Sequence, residues 1–249
     1  MKRFWIYVGM MALVVAGMAQ GKPCPGAATI KDYDGNVYNT VQIGDQCWMR
    51  ENLRTTSYAD GTPILMGTTT SFNTSYRFYV NDDATTVSTY GYLYNWAAVM
   101  NGAESSETNP SGVQGICPNG WHVPSSAEWE QLMIYVYGKS EFHCSANPEN
   151  IAKALADTKG WDESQESCAI GNNLKKNNAT GFSILPAGSY TGNSGHYGSY
   201  AAFAILWSAT EHSKDDTYAY IRYFCWNDPE TKWFGFNKSC GFSVRCLRD

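Results

Sequence analysis

The sequence has no excess of basic residues. It contains 18 Lys and Arg against 23 Asp and Glu, a formal net charge of −5 at pH 7. Residues 1–19, which we predict to be removed as a signal peptide, hold two of the basic residues and no acidic one, so the mature chain carries −7. A nucleic acid or an anionic membrane would require a basic face. The charge argues against such partners.

The sequence also lacks the common catalytic motifs. No two of the four histidines stand four residues apart, as they do in the zinc-binding helix of metalloproteases. The Gly-x-Ser-x-Gly turn of serine hydrolases, the phosphate-binding P-loop and the dinucleotide-binding glycine pattern are absent too. We therefore expect a protein that is not an enzyme.

No apolar run after the amino terminus approaches the ~20 residues needed to span a bilayer. At the amino terminus, Lys2 and Arg3 precede a mostly apolar run, and Gly17-Met18-Ala19 offers small residues for cleavage. We predict a signal peptide over residues 1–19 and no transmembrane segment in the mature chain. Cys24 follows Lys22-Pro23, which argues against lipid attachment. The expected location is secreted or cell envelope.

Cysteine, by contrast, is plentiful. All eight cysteines lie after residue 19: Cys24, Cys47, Cys117, Cys144, Cys168, Cys225, Cys240 and Cys246. An even number in an exported chain implies disulfide bonds. A zinc site would need a Cys-x-x-Cys or histidine-rich spacing, and neither is present. Because eight cysteines allow roughly a hundred connectivities, the count leaves the pairing open.

The first half of the chain contains a predicted hairpin and a predicted short helix. Asp34-Gly35 is typical of a hairpin turn, and Val37, Val41 and Ile43 then recur on one face of a period-two pattern. Residues 92–100 are apolar and aromatic, and Asn101-Gly102 after them favours a helix stop. We expect a helix of two to three turns there.

The clearest predicted element is a second helix. Ser125-Ser126-Ala127-Glu128 is a capping box, in which the Ser125 hydroxyl and the Glu128 carboxylate each accept a backbone amide. The apolar stripe behind it consists of Trp129, Leu132, Met133 and Val136. Gly138 is expected to end the helix in a left-handed conformation. A third helix is predicted from Asn147-Pro148-Glu149 to near Gly160.

Short strands separated by glycine-rich turns are predicted after residue 180. Residues 218–224 alternate aromatic and small side chains, as a strand does. The last strand is expected to be half-buried, with Phe242, Val244 and Cys246 on one side and Ser243, Arg245 and Leu247 on the other. These patterns indicate an α+β fold in a single domain.

Several segments carry a family resemblance. They are Gly115–Leu132, with Cys117 and Trp129, the carboxyl-terminal Gly241–Asp249, and the shorter Gly44–Leu53, Gly91–Trp96 and Leu206–Glu211. These segments resemble the Fibrobacter succinogenes major paralogous domain family of the C-type-lectin-like superfamily. The resemblance implies a C-type-lectin-like domain over residues 29–249, after an amino-terminal segment at 20–28. Two to three short helices, antiparallel strands and long disulfide-tied loops are expected.

The disulfide pairing is predicted with the help of this resemblance. Cys117 and Cys246 both lie in family-like segments, and a C-type-lectin-like fold returns its terminal strand to the centre of the domain. We therefore predict a Cys117–Cys246 bond. The remaining predicted pairs are Cys24–Cys47, Cys144–Cys168 and Cys225–Cys240.

The resemblance implies a surface protein without an assigned activity, and the favoured function is a binding or adhesion module. Residues 121–130 are also similar to the LPTEAEWE signature of formylglycine-generating enzymes, which use a copper-binding cysteine pair. An oxidase of that type is the alternative, and a purely structural role in a surface assembly is a third. Neighbouring reactive thiols would favour the oxidase.

The predicted ligand is a glycan or a surface protein, bound through the loops between Gly188 and Asn237. Aromatic residues number 36 of 249, and most are expected to fill the core. Those beside glycine-rich or polar turns are the predicted exposed ligand-binding residues, because exposed Tyr and Trp are rigid and amphipathic. They are Tyr190, Tyr197, Tyr200, Trp226 and Trp233.

Trp226-Asn227-Asp228 raises the possibility of calcium. In sugar-binding C-type lectins such a tripeptide supplies an amide oxygen and a carboxylate to Ca²⁺, which takes six to eight oxygen ligands. The companion Glu-Pro-Asn or Gln-Pro-Asp loop of those lectins is absent, and Asn147-Pro148-Glu149 has its residues in another order. Asn227 and Asp228 are the candidate ligands, and no other cofactor is expected.

Overall fold

The structure is a computed structural model, and it describes residues 21–192 and 197–249. The predicted signal peptide, residues 1–19, lies outside the described residues. Among the residues described, no helix combines the length and the apolar character needed to cross a membrane.

The described residues form a mixture of short helices and strands. The helices are α1 (Val87–Tyr90), α2 (Trp96–Met100), α3 (Ser126–Tyr137) and α4 (Ala152–Leu155). The strands are β1 (Thr29–Lys31), β2 (Val37–Ile43), β3 (Gln46–Met49), β4 (Leu65–Met66), β5 (Tyr76–Phe78), β6 (Leu93–Tyr94), β7 (Trp121–His122), β8 (Ser189–Tyr190), β9 (Tyr197–Gly198), β10 (Phe203–Glu211), β11 (Tyr218–Cys225), β12 (Lys232–Asn237) and β13 (Leu247–Arg248).

The strands assemble into four sheets within the described part of the chain. The largest has the order β1-β2-β3-β13-β7, so the carboxyl-terminal strand lies at the centre of the early strands. The others are β10-β11-β12, β4-β5-β6 and β8-β9. All neighbouring strands are antiparallel except β4 and β5. The predicted α+β class, mostly antiparallel with few short helices, is confirmed.

The predicted opening hairpin is present as β1 and β2. Gly35 turns the chain at φ 83°, a left-handed conformation that glycine adopts without strain. The prediction that Val37, Val41 and Ile43 share one face of β2 is only partly correct. Val41 and Ile43 are buried, but Val37 is 43 % exposed and Tyr38 is buried instead. The buried face changes between Thr40 and Val41, which are both buried.

Helix α3 forms as its capping box predicts. The Ser125 hydroxyl accepts the amide of Glu128, and the Glu128 carboxylate accepts the amide of Ser125 at 2.9 Å. All four residues of the predicted stripe are buried. Gly138 does end the helix, but at φ −73°, so the predicted left-handed stop is wrong.

The other two predicted helices are shorter than expected. Leu93 and Tyr94 pair with β5, so α2 begins only at Trp96, with Asn95 as its N-cap. It ends at Asn101 (φ 51°), as predicted. Asn147-Pro148-Glu149 forms a turn rather than a helix start, since Asn147 O accepts the amide of Asn150. The third helix is only α4.

Two large apolar clusters lie on either side of β10. Ile205 and Trp207 point into one, together with the Cys117–Cys246 bond. Ala204 and Leu206 point into the other, which also holds the α3 stripe. Because successive strand residues face opposite sides, β10 is buried on both faces and joins the two clusters.

Three of the four predicted disulfide bonds are present: Cys24–Cys47, Cys117–Cys246 and Cys144–Cys168. The predicted Cys225–Cys240 bond is wrong, because both cysteines are unbonded and buried. Tyr218 pairs with Asn237 in the β11–β12 hairpin, so Cys240 lies near the start of β11 and Cys225 at its end. That separation is on the order of 20 Å, whereas a disulfide needs Cα atoms within about 7 Å.

The carboxyl-terminal segment is more buried than the sequence indicates. Every residue from 242 to 247 is buried, so the predicted half-buried strand is wrong. Only Leu247–Arg248 forms a strand, and the preceding residues make isolated bridges such as Leu206 to Ser243. Arg245, fully buried, donates to the carbonyls of Met49, Phe182 and Ser183 and to the Asn52 side chain.

Candidate ligand-binding surface

The β11–β12 hairpin places aromatic side chains on one face. Tyr220 pairs with Gly235, and Arg222 pairs with Trp233. Because alternate residues share a face, Tyr218, Tyr220 and Trp233 point to the same side of the sheet. This side is covered by α3 near Phe224 but lies open towards Tyr218, which is 37 % exposed.

Four rings on this open side form a contiguous row. The ring centroids of Trp233 and Tyr220 lie 4.8 Å apart, and those of Tyr220 and His212 lie 5.1 Å apart. His212 also meets Tyr218 edge-on at 6.5 Å. We call His212, Tyr218, Tyr220 and Trp233 the aromatic platform. Trp233 is 55 % exposed, an unusual position for so large an apolar side chain.

Gly235 makes room for the platform. A Cβ atom at this position would lie 2.6 Å from Cδ2 of His212. The absence of a side chain therefore lets the imidazole ring lie over β12 and close the row beside Tyr220. An alanine here would push the His212 ring away.

A polar cleft of about 600 Å³ adjoins the platform at His212. Glu107, Glu211, Asp215 and Asp216 contribute carboxylates to its lining. Glu211 forms an ion pair with Lys238. The side-chain hydroxyl and backbone amide of Thr217 donate to Asp215 and lower the pKa of its carboxyl group. The cleft therefore offers carboxylate acceptors to a ligand that carries hydroxyl groups.

The five predicted ligand-binding aromatics do not form one site. Trp233 has the expected exposure, and Tyr200 is 41 % exposed, with its hydroxyl 3.2 Å from that of Tyr90. Tyr197 is partly buried and donates to Asp82. Trp226 is partly buried against the apolar cluster that holds the α3 stripe. The expected exposure of Tyr190 is wrong: it is 1 % exposed and stacks on Phe78 at 3.8 Å.

The sequence analysis missed Tyr218, Tyr220 and His212. Alternating aromatics in β11 are visible in the sequence and could have indicated Tyr218 and Tyr220. His212 could not have been found, because its contact depends on the bulge in β10 and on the register that brings Gly235 beneath it.

The candidate calcium ligands lie in the turn after β11. Asp228 pairs with Lys232 and accepts the amide of Glu230, and Asn227 Oδ1 accepts the Cys225 thiol at 2.8 Å. Across residues 21–192 and 197–249, no group of three or more acidic, histidine or cysteine side chains is arranged to hold a metal ion. Calcium binding at Asn227 and Asp228 stays a prediction.

A cluster of titratable side chains lies at the start of α3, with His122 and Glu128 buried and Asp249 exposed. His122 is 2 % exposed; its Nε2 lies 2.8 Å from Glu128 and its Nδ1 lies 2.6 Å from Asp249. Burial alone would lower the pKa of His122, but the hydrogen bonds and charges of the two carboxylates outweigh it and raise the pKa. Both ring nitrogens are engaged, so His122 has no free position from which to act as a general base. Through these two contacts, His122 links Glu128 of the α3 capping box to Asp249.

The unbonded thiols do not form a reactive pair. Cys225 and Cys240 lie at opposite ends of the β11–β12 hairpin. Burial raises the pKa of Cys240 to about 11, so its thiolate is scarce at neutral pH.

Comparisons with known proteins gave one match. A family model described as the Fibrobacter succinogenes major domain matches residues 41–248. No curated protein and no solved structure matches the chain.

Proposed function

This chain belongs to the Fibrobacter succinogenes major domain family, and on that basis we propose that it is an exported, non-catalytic module that binds glycan through the aromatic platform. The proposal includes a C-type-lectin-like scaffold. The mixed α+β architecture and the Cys117–Cys246 bond, which ties the terminal segment to the segment before α3, support that scaffold. Three disulfide bonds fit an oxidising location outside the cytoplasm.

The exposed Trp233 ring beside Tyr220 and His212 is the observation that carries the proposal. A sugar ring has an apolar face of C–H groups and a rim of hydroxyls. The apolar face can stack on an aromatic ring, and the hydroxyls can donate to the carboxylates of the adjoining cleft. Clustered exposed aromatics mark interaction sites more often than isolated ones do.

The charge of the cleft favours glycan over protein as the ligand. The core of a protein–protein interface is depleted of Asp and Glu, because burial of an unpaired carboxylate is costly. Here Glu107, Asp215 and Asp216 line the cleft that meets the platform at His212, and Lys214 is the one basic residue among its lining. A hydroxyl-rich ligand satisfies such carboxylates without a basic surface of its own.

The oxidase alternative requires two neighbouring reactive thiols. The two unbonded cysteines among the described residues are separated by the length of β11, and burial suppresses the ionisation of Cys240. This arrangement supports the non-catalytic proposal.

A glycan array with matched variants tests the proposal. Trp233→Ala removes the most exposed ring of the platform and should weaken binding of any recognised glycan by about tenfold or more, equivalent to about 1.4 kcal/mol. Phe234→Ala is the control, because Phe234 is the next residue, is 39 % exposed and points to the opposite face of β12. Equal losses in the two variants, or no loss in either, would contradict the platform.

The same array tests calcium. If Asn227 and Asp228 hold the ion, a chelator and Asp228→Ala should each abolish binding. Binding that persists in chelator and is lost in Trp233→Ala would discard the calcium ligands and retain the platform.

A further inference from the structure

A second cavity, of about 400 Å³, lies away from the platform. Arg50 enters it from the end of β3, and Asp157 to Lys159 enter it from the segment after α4. Lys175 and Asn177 reach it from the following loop, and Ser183 lies at its edge. None of these residues belongs to the platform or its cleft.

The lining of this cavity is basic in a chain that is acidic overall. Arg50, Lys159 and Lys175 face a single acidic side chain, Asp157. In the described parts of the chain none of the three cations forms an ion pair. Among residues 21–192 and 197–249, the one side-chain hydrogen bond of the Arg50 guanidinium is to Ser183 Oγ at 3.5 Å, too long to hold it firmly. These cations are available to a ligand.

A fourth cation lies directly beneath. Arg245 is fully buried and donates from Nη2 to the backbone carbonyl of Ser183 at 2.7 Å. All its hydrogen-bond partners are neutral: three carbonyls and the Asn52 amide oxygen. Burial lowers the pKa of Arg245 to about 9, so it remains charged at neutral pH. A charge in a low-dielectric interior is poorly screened, so its positive potential extends into the cavity.

An unsatisfied acceptor lies buried in the wall of the cavity. Asn177 is 3 % exposed, and its Nδ2 donates to the carbonyls of Asp157 and Ile170. Its Oδ1 is buried and has no hydrogen-bond partner. Such an atom costs free energy unless a donor reaches it. A simple anion such as sulfate has no donor, whereas a sugar hydroxyl has one.

We propose that this cavity binds one acidic sugar residue, with its carboxylate or sulfate group facing Arg50, Lys159 and Lys175, and that the Asn177 side chain turns on binding so that a sugar hydroxyl donates to its amide oxygen. The anionic group accounts for the unpaired cations, and the hydroxyl accounts for the unsatisfied amide oxygen. The volume lies within the usual range for small-ligand sites. This second site does not rest on the platform proposal.

Calorimetric titration of the mature protein tests the inference. The probes are methyl β-glucuronide for the carboxylate, glucose 6-sulfate for the sulfate, and methyl β-glucoside as their neutral counterpart. At least one acidic sugar should bind with a Kd of about 1 mM or tighter, and the glucoside at least about tenfold more weakly. Raising the salt from about 20 mM to about 300 mM should weaken the acidic sugar by severalfold.

The double variant Lys159→Gln with Lys175→Gln should weaken acidic-sugar binding by about tenfold. Both lysines are exposed, so folding should survive. The control double variant, Lys31→Gln with Lys139→Gln, changes the net charge equally at exposed positions outside the cavity and should bind normally. Equal effects of the two double variants would overturn the site.

Three further outcomes would also overturn the proposal. They are the absence of acidic-sugar binding at about 10 mM, equal affinity for glucoside and glucuronide, and inorganic sulfate binding as tightly as the sugars. Trp233→Ala should leave acidic-sugar binding unchanged. If it abolishes that binding, the sugar occupies the platform, which refutes the second site and supports the proposed function.

Discussion

At the scale of single residues, Arg245 shows how one buried cation can organise a core without a carboxylate. Its guanidinium bridges Met49, at the end of β3, to residues 182 and 183. It also lies over the Phe182 ring, 5.0 Å from its centroid. A planar group with several donors suits four acceptors in different directions, which a lysine could not satisfy.

Arg245→Met should therefore be strongly destabilising. Methionine fills similar space but leaves the Asn52 oxygen and three buried carbonyls without a donor, and we expect a loss of about 3–5 kcal/mol. Urea unfolding measures the difference. Arg248→Met is the control: Arg248 is exposed and donates to Pro25 alone, so about 0.5 kcal/mol or less is expected. Similar losses in the two variants would show that the buried bonds contribute little.

His122 should give the protein a pH-dependent stability. Its folded pKa is raised above the ordinary value of 6.5, so the folded state binds the proton more tightly than the unfolded state. The resulting stability is fully present below pH 6.5 and is lost as the pH rises through the folded pKa. Unfolding free energies measured from pH 5.5 to pH 9 should fall more steeply for the wild type than for His122→Gln. Parallel curves would refute this role.

At the scale of elements, the sequence predicts best where a local contact decides the structure. The capping box of α3 joins residues three apart, and the Asp34-Gly35 turn joins neighbouring strands, so both are visible without tertiary information. The helix predicted over residues 92–100 is wrong at its start, because Leu93 and Tyr94 pair with β5 in a sheet. The third predicted helix is shorter than expected, because the turn at Asn147 and the Cys144–Cys168 bond shape the loop before it.

In the candidate site, too, features set by neighbouring residues could be predicted, and features set by distant contacts could not. Exposure of Trp233 could be predicted from the polar turn that precedes it, residues 227–232. Tyr190 also lies beside glycine, but Phe78, more than 100 residues away, covers its ring. The platform itself depends on strand register, which pairs Tyr220 with Gly235 and cannot be derived from either strand alone.

The capping box should contribute measurably to stability. Ser125→Ala removes the hydroxyl that accepts the Glu128 amide, and the expected loss is about 1 kcal/mol in urea unfolding. Ser126→Ala is the control, because the Ser126 hydroxyl makes only a long 3.4 Å contact with Ser208. A loss in Ser125→Ala no larger than in the control would show that the cap is dispensable.

At the scale of the whole molecule, the Cys117–Cys246 bond closes about half of the chain into one loop. Its cysteines are 129 residues apart, against 23 for Cys24–Cys47. Because a cross-link removes more entropy from the unfolded chain when the loop that it closes is longer, the Cys117–Cys246 bond should stabilise by about 1.5 kcal/mol more. Urea unfolding of the two double alanine variants measures this difference. Equal losses would indicate that native packing, rather than chain entropy, governs the effect.

The separation of Cys225 from Cys240 determines how many free thiols the mature protein should have. Since the β11–β12 hairpin holds them at opposite ends, the mature protein, unfolded without reductant, should react with two equivalents of a thiol reagent. Peptide mapping should place both labels on Cys225 and Cys240. Cys225→Ser with Cys240→Ser is the control and should bind no label. Zero equivalents in the wild type, with a peptide linking the two cysteines, would show that the hairpin register is wrong, and with it the pairing of Tyr220 and Gly235 on which the aromatic platform depends.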